Sequence, residues 1–125
     1  MARVVLDSSV LIALLNPKDS HHKQALNFYQ PKNEYLISAL SVAEVMPRAI
    51  REGVEERVWK ALNLMAREII QVSGEIALFA AEIRSTANVK TPDAIISATA
   101  SICKAELWTF DKKLALAHPK SKLLR

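Results

Sequence analysis

The sequence predicts an α/β fold with three layers, in which helices cover both faces of a mostly parallel sheet of four to five strands. Short apolar runs alternate along the chain with longer segments of helical periodicity. Strands separated by helices need crossover connections, which pair strands in parallel. The length of 125 residues suits one domain over residues 1–125.

The first part of the chain predicts one strand and two helices. Residues 4–6 are apolar and rich in β-branched side chains, which is typical of a buried strand. Ser8 or Ser9 can cap a helix over residues 10–15, which the following Asn-Pro pair ends. Ser20 can cap a second helix that runs to the next proline turn.

The middle of the chain predicts two further strands and three helices. Residues 35–37 form the second strand, and a helix over 41–51 follows it. Residues 54–66 carry a clean apolar stripe at helical spacing. The run 69–72 then predicts the third strand, and residues 75–87 predict a helix with one apolar face.

The last part predicts two helices, the fourth strand and an edge strand. A capping threonine, with proline at the first helical position, opens a helix that runs from 91 to about 102. The fourth strand covers 107–110, and Asp111 begins a short helix that ends at Pro119. Residues 123–124 are candidates for an edge strand.

The composition excludes several classes of site. The chain has only two glycines, which argues against Gly-rich phosphate-binding loops. Cys103 is the only cysteine, so neither an internal disulfide nor a cysteine-based zinc site can form. The apolar start is too short for a signal peptide or a membrane span, and we expect a cytoplasmic protein that does not contact a membrane. The net charge of +4 permits a polyanionic partner.

Four carboxylates fall at one edge of the predicted sheet. Asp7 directly follows the first strand, and Asp111 directly follows the fourth. Glu44 and Asp93 lie in the first turns of predicted helices. Strand ends and helix starts share the edge of an α/β sheet where ligands bind, so we expect these four side chains on one rim.

Each carboxylate also has a purely structural explanation. Ser41 and Glu44 have the spacing of a capping box, while Asp93 and Asp111 suit helix starts. Asp7 lies between an apolar strand and an apolar helix, where burial is costly without a partner. A divalent cation that neutralises their mutual repulsion explains the whole set better. Oxygen-only ligands favour Mg²⁺ or Mn²⁺, and such a site suits attack of an activated water on a phosphodiester.

Four segments resemble the motifs of PIN-domain proteins, in the same order and with similar spacing. They are residues 4–12, 41–45, 91–100 and 107–111, of which the third is the most distinctive. At this length the resemblance is to the VapC-type toxins of prokaryotic toxin–antitoxin pairs. It implies a PIN-like fold and a Mg²⁺- or Mn²⁺-dependent endoribonuclease that cleaves RNA, forms a homodimer and is inhibited by a small antitoxin.

The resemblance also implies roles for single residues. The principal metal ligands that it implies are Asp7, Glu44 and Asp93. Asp111 matches a fourth acidic residue, which acts through water or on a second metal. Ser9 matches a position that often holds a small polar residue near the metal. Thr109 resembles a residue that orients a carboxylate. Pro47 departs from the pattern, because it falls inside the helix that carries Glu44 and should kink it.

Basic residues that could bind RNA phosphates flank the acidic motifs, namely Arg48, Arg51, Lys90, Lys112 and Lys113. Arg48 and Lys112 are the best candidates for contacts with RNA phosphates, although solvated surface charge is the simpler explanation for any single one. A haloacid-dehalogenase-like phosphatase with Asp7 as nucleophile is an alternative, but the second aspartate expected two residues later is Ser9. A non-catalytic PIN-like module for RNA processing or binding is another, which the presence of all four acids disfavours.

The remaining aromatic and histidine residues suit structural positions. Trp59 and Trp108 fall in apolar stripes, and we expect both in the core. His21 and His22 lack a nearby third ligand, so we expect them at the surface near a helix start. We also expect His118 at the surface.

Overall fold

The fold is a five-stranded parallel sheet with helices on both faces, in a computed structural model that describes residues 1–118 and 120–124. The strands are β1 (Arg3–Leu6), β2 (Glu34–Ser38), β3 (Glu68–Ile70), β4 (Glu106–Thr109) and β5 (Ser121–Leu123). The helices are α1 (Ser8–Leu15), α2 (His22–Phe28), α3 (Ala39–Arg51), α4 (Glu55–Met65), α5 (Gly74–Thr86), α6 (Thr91–Ile102) and α7 (Lys112–Ala117). The predicted three-layer parallel α/β fold is confirmed.

The strand order places β1 at the centre of the sheet. The order is β3-β2-β1-β4-β5, and every neighbouring pair is parallel. The chain builds one half of the sheet from β1 to β3 and then crosses to the other side of β1 for β4 and β5. The carboxyl ends of β1 and β4 therefore meet where the direction of strand addition reverses, which is the position at which open α/β sheets form a ligand crevice.

Alternating side chains of the strands form two cores. Val4, Leu6 and Trp108 pack with residues of α1–α4 on one face. Val5 and Leu107 pack on the opposite face with residues of α6 and α7, and α5 closes this side through its contacts with α6. Asp7 and Thr109 continue the pleat of Val5 and Leu107, which directs both toward the α6 side of the sheet.

Several helix starts differ from the prediction. Asp7 caps α1 in place of Ser8 or Ser9, and no side-chain cap is formed at the start of α2, where Ser20 was expected. Ser38 caps α3, which begins at Ala39, so the predicted capping box of Ser41 and Glu44 is wrong. Serine and aspartate are interchangeable caps, and residues that follow a strand compete for the role.

Two expectations about single side chains are wrong, and a third falls outside the described residues. Trp108 is in the core as predicted, but Trp59 is 46% exposed on α4. His118 is buried and hydrogen-bonds through Nδ1 to Ser97 Oγ of α6 at 2.7 Å. Pro119, the predicted end of the last helix, lies outside the described residues. In the described part of the chain, no helix has the length and apolar character needed to cross a membrane.

Candidate active site

Asp7 is the buried member of the acidic rim. It follows β1 directly, its backbone N–H donates to the carbonyl of Trp108 at 3.2 Å, and only 6% of the residue is exposed. Its Oδ1 accepts hydrogen bonds from Ser9 Oγ at 2.6 Å and from the Val10 amide at 3.1 Å. The carboxylate thus caps α1 and is fixed at the end of the central strand.

Two hydroxyl groups connect Asp7 to the end of β4. Thr109 Oγ1 donates to Asp7 Oδ2 and accepts from the amide of Asp111 at 2.8 Å. Ser9 Oγ donates to Asp7 and accepts from the amide of Phe110 at 3.1 Å. A carboxylate has about four acceptor positions, and these donors and the Val10 amide occupy three of them. One acceptor position on Oδ2 remains for another partner.

Burial raises the pKa of the Asp7 carboxyl above its ordinary value. The hydrogen bonds from Ser9, Thr109 and the Val10 amide act in the opposite direction, and the charge of Asp111 raises the pKa further. The ionised form is therefore held at a cost that a nearby cation would relieve.

Asp93 connects the other acidic residues to this site. It lies in the first turn of α6 and is half-buried. Burial raises its pKa, and the charges of Asp111 and Glu44 raise it further, whereas Lys90 and Lys113 lower it. Asp111 acts on both Asp7 and Asp93, so the four carboxylates belong to one electrostatic cluster.

Glu44 and Asp111 form the exposed side of the rim. Glu44 lies in the second turn of α3 and not in the first, and its Oε1 accepts a hydrogen bond from Ser8 Oγ at 2.5 Å. Asp111 caps α7, with Oδ1 accepting from the amides of Lys113 at 2.9 Å and Leu114 at 3.4 Å. The helix continues past Pro47, which is exposed, so the proline leaves Glu44 on the rim.

The donor chemistry of the rim fits a hydrated Mg²⁺ or Mn²⁺. All four side chains offer carboxylate oxygens, and like charges raise the pKa of two of them. Across residues 1–118 and 120–124, no three His, Cys, Asp or Glu side chains are arranged closely enough to hold a metal ion by themselves. Mg²⁺ usually keeps several waters and needs only one or two carboxylates, so an open rim suits it better than a closed cage.

The predicted phosphate contacts fall in different places. Arg48 Nε pairs with Glu52 at 2.9 Å beside a groove between α1, α3 and α4. Lys112 is exposed at the start of α7. Lys90 and Lys113 are the cations whose charges act on Asp93, and they flank the rim more directly. Both lysines were among the basic residues that flank the acidic motifs, but Arg48 and Lys112 were preferred to them as phosphate contacts. The role of Ser8, which holds Glu44, was not predicted, and its adjacency to Asp7 was the available signal.

The sequence matches a known protein family over most of its length. The sequence model of the PIN domain matches residues 4–118. The chain belongs to the PIN domain family. No curated protein matches the sequence.

Solved structures of PIN toxins share this fold. A toxin–antitoxin complex from Klebsiella pneumoniae is 34% identical, with a TM-score of 0.80 and 95% coverage of both chains. VapBC2 from Rickettsia felis, bound to a DNA fragment from its promoter, is 18% identical with a TM-score of 0.74, covering 98% of this chain and 99% of that one. VapC20 from Mycobacterium tuberculosis, a toxin that cleaves the sarcin–ricin loop, is 18% identical with a TM-score of 0.73, covering 91% and 94%. This PIN-domain chain is thus similar to VapC-type toxins.

Proposed function

We propose that this PIN-domain chain is a divalent-metal-dependent endoribonuclease and the toxin of a type II toxin–antitoxin pair. The observation that carries the proposal is the cluster of Asp7, Glu44, Asp93 and Asp111 at the carboxyl ends of β1 and β4. PIN-domain nucleases generally use divalent metal ions, and carboxylate oxygens are suitable ligands for Mg²⁺ or Mn²⁺.

The chain's own residues would position the reactants. A bound divalent ion supplies a more acidic water and neutralises charge on the phosphodiester. Asp7 presents its free Oδ2 acceptor position in an orientation set by Ser9 and Thr109. Ser8 holds Glu44, and the amides of α7 hold Asp111. Lys90 and Lys113 attract the RNA backbone toward the rim and offset its negative charge.

Cleavage of RNA by the purified protein tests the proposal. A structured RNA mixture is incubated with Mg²⁺, with Mn²⁺ and with EDTA, and Asp93→Asn is compared with Glu56→Gln, an exposed carboxylate on α4. We expect metal-dependent cleavage that EDTA and Asp93→Asn abolish and Glu56→Gln retains. Equal cleavage by Asp93→Asn would identify a contaminant. If no variant cleaves and none binds a divalent metal, the chain is a non-catalytic module.

The antitoxin and a second copy of the chain are the proposed protein partners. Toxin–antitoxin complexes among the structural neighbours support the first. A groove of about 380 Å³ runs between α1, α3 and α4 and is lined by Ile12, Leu15, Val45, Val54 and Val58. Its apolar lining suits the apolar face of an amphipathic helix of the antitoxin. We expect Ala61→Glu in this groove to weaken inhibition by the antitoxin without reducing RNA cleavage.

The second proposed partner is another copy of this chain. We expect light scattering of the purified chain to report the mass of a dimer.

A further inference from the structure

Two aromatic rings form a stack beside the carboxyl end of β4. The imidazole of His21 lies on the ring of Phe110, with centroids 4.3 Å apart and planes inclined by 24°. Phe110 stands between Thr109, which orients Asp7, and Asp111. The stack therefore joins the loop before α2 to the strand end that carries the site.

The ring of Phe110 is held in place by a backbone hydrogen bond and by packing against the core. The amide of Phe110 donates to Ser9 Oγ, which itself donates to Asp7, so Phe110 is two hydrogen bonds from the buried carboxylate. Phe110 is half-buried and packs against the core on the α1–α4 side. The fixed ring of Phe110 restricts where the imidazole of His21 can lie.

His21 presents its outer side to solvent. Its amide donates to Asp19 Oδ1 at 2.8 Å, and its Nδ1 lies 3.8 Å from the same carboxylate. Even so, 49% of its side chain is exposed. The loop thus holds a flat ring with one face on Phe110 and much of the remaining surface open.

We propose that the His21–Phe110 stack is a binding position for one unpaired RNA base next to the cleaved phosphodiester. This inference rests on the proposed function. Single-stranded RNA is recognised chiefly through bases that stack on aromatic or histidine side chains. The position fits because Phe110 directly precedes Asp111 and is linked through Ser9 to Asp7, and both carboxylates would help to hold the metal ion at the scissile phosphate. Lys90 and Lys113, whose charges act on Asp93, provide positive charge near the same cluster.

Binding of a fluorescent RNA tests this inference without requiring cleavage. The probe is an eight-nucleotide oligouridylate, whose bases stack little on one another, in which 2-aminopurine replaces uracil at one position at a time. The protein carries Asp93→Asn in every sample. Stacking quenches 2-aminopurine. His21→Ala removes the outer ring, and His21→Phe restores an aromatic face. Trp59→Ala is the matched control, because Trp59 is 46% exposed but lies on α4.

We expect quenching at one position, its loss in His21→Ala and its return in His21→Phe. His21→Ala should weaken binding about 5- to 100-fold, which is the range for one base stacked on an aromatic ring. It should have no effect on a strand that is abasic at the quenched position, and Trp59→Ala should behave like the parent. Absence of quenching at every position, or equal weakening with the abasic strand, overturns the inference.

The test separates this inference from the proposed function. If the unmodified chain cleaves RNA with Mg²⁺ but His21→Ala binds and quenches like the parent, only the stacking inference fails, and the stack merely packs the loop. If no RNA is cleaved but quenching follows His21 as described, the stacking position stands and the nuclease proposal fails.

Discussion

At the residue scale, Thr109 determines what Asp7 can do. Its hydroxyl is the sole donor to Asp7 Oδ2 among the hydrogen bonds of the described chain, and it also accepts from the amide of Asp111. The buried hydroxyl of Thr109 therefore couples the orientation of the Asp7 carboxylate to the position of the Asp111 backbone, and both residues are proposed metal ligands. Loss of a group that orients a metal ligand without binding the metal itself typically lowers metal affinity or activity by about 10- to 100-fold.

Thr109→Val tests this coupling with almost no change in volume. It removes the donor to Asp7 and leaves the Asp111 amide without its partner, so we expect RNA cleavage to fall by about 10- to 100-fold. The Mg²⁺ concentration needed for half-maximal rate should rise. Thr109→Ser retains the hydroxyl and should recover most of the activity. Unchanged metal dependence in Thr109→Val would contradict the coupling.

The raised pKa of Asp93 predicts how the stability of the folded protein changes with pH. Its pKa in the folded protein is raised above 3.8, so the folded state binds this proton more tightly than the unfolded state. Stability is therefore lost as the pH rises from about 3.8 through the folded pKa, and ionised Asp93 opposes folding at neutral pH.

Asp93→Asn should therefore stabilise the metal-free protein at pH 7. Removing one partly screened repulsion should raise the Tm by about 1–3 °C in EDTA, measured by scanning calorimetry. The difference should vanish near pH 3, where the carboxyl is protonated in both states. Mg²⁺ should raise the Tm of the parent more than that of the variant. A lower Tm for Asp93→Asn at pH 7 would show that ionised Asp93 does not oppose folding.

At the element scale, the start of α3 contains two serines with different environments. Ser38 Oγ accepts from the Leu40 amide at 3.1 Å and caps the helix. Ser41 is buried, and its hydroxyl lacks a hydrogen-bond partner among the described residues. A lost cap costs about 1 kcal/mol, whereas a buried hydroxyl without a partner is itself a cost of about 1–3 kcal/mol.

The two alanine variants should therefore move stability in opposite directions. Ser38→Ala should lower the free energy of unfolding by about 1 kcal/mol. Ser41→Ala should raise it by about 0.5–1 kcal/mol, because alanine removes the orphan hydroxyl and favours the helix. Urea unfolding measures both, and a destabilised Ser41→Ala would show that this hydroxyl has a partner after all.

The pair of His118 and Ser97 connects α6, which carries Asp93, to the end of α7, which Asp111 caps. Burial lowers the pKa of His118 below 6.5, and the charge of Lys120 lowers it further. The unfolded state thus takes up this proton first as the pH falls, so stability is lost progressively below about pH 6.5.

Replacement of His118 by glutamine should remove this part of the pH dependence. Glutamine can still hydrogen-bond Ser97 but does not titrate. We expect the Tm of the parent to fall more steeply between pH 7 and pH 5 than the Tm of His118→Gln. Parallel curves for the two proteins would mean that His118 is protonated equally in the folded and unfolded states.

At the scale of the whole molecule, the strand order creates the site. Placing β1 at the centre and β4 on its other side brings residue 7 beside residues 109–111, about a hundred positions away in the sequence. The alternation of the strands then directs Asp7 and Thr109 to the side of α6, where Asp93 lies. No single helix or strand contains all the residues of the site.

Much of this could be predicted from the sequence, because it depends on periodicity and on positions at element ends. The apolar runs located all five strands, and α6 matches the predicted limits of 91 and 102. The caps of α1 and α3 could not be chosen, because neighbouring Ser and Asp residues cap equally well. The burial of His118 and the ion pair of Arg48 with Glu52 depend on tertiary packing that periodicity does not encode.

Asp7, Glu44, Asp93 and Asp111 together form one proposed metal site. Mn²⁺ binding followed by electron paramagnetic resonance tests it most directly, in the parent protein and in Asp7→Asn, Glu44→Gln, Asp93→Asn, Asp111→Asn and the control Glu56→Gln. We predict that the first four variants all weaken the same Mn²⁺ binding and that Glu56→Gln does not. Mn²⁺ binding that is unchanged in Asp7→Asn and Asp93→Asn would contradict the claim.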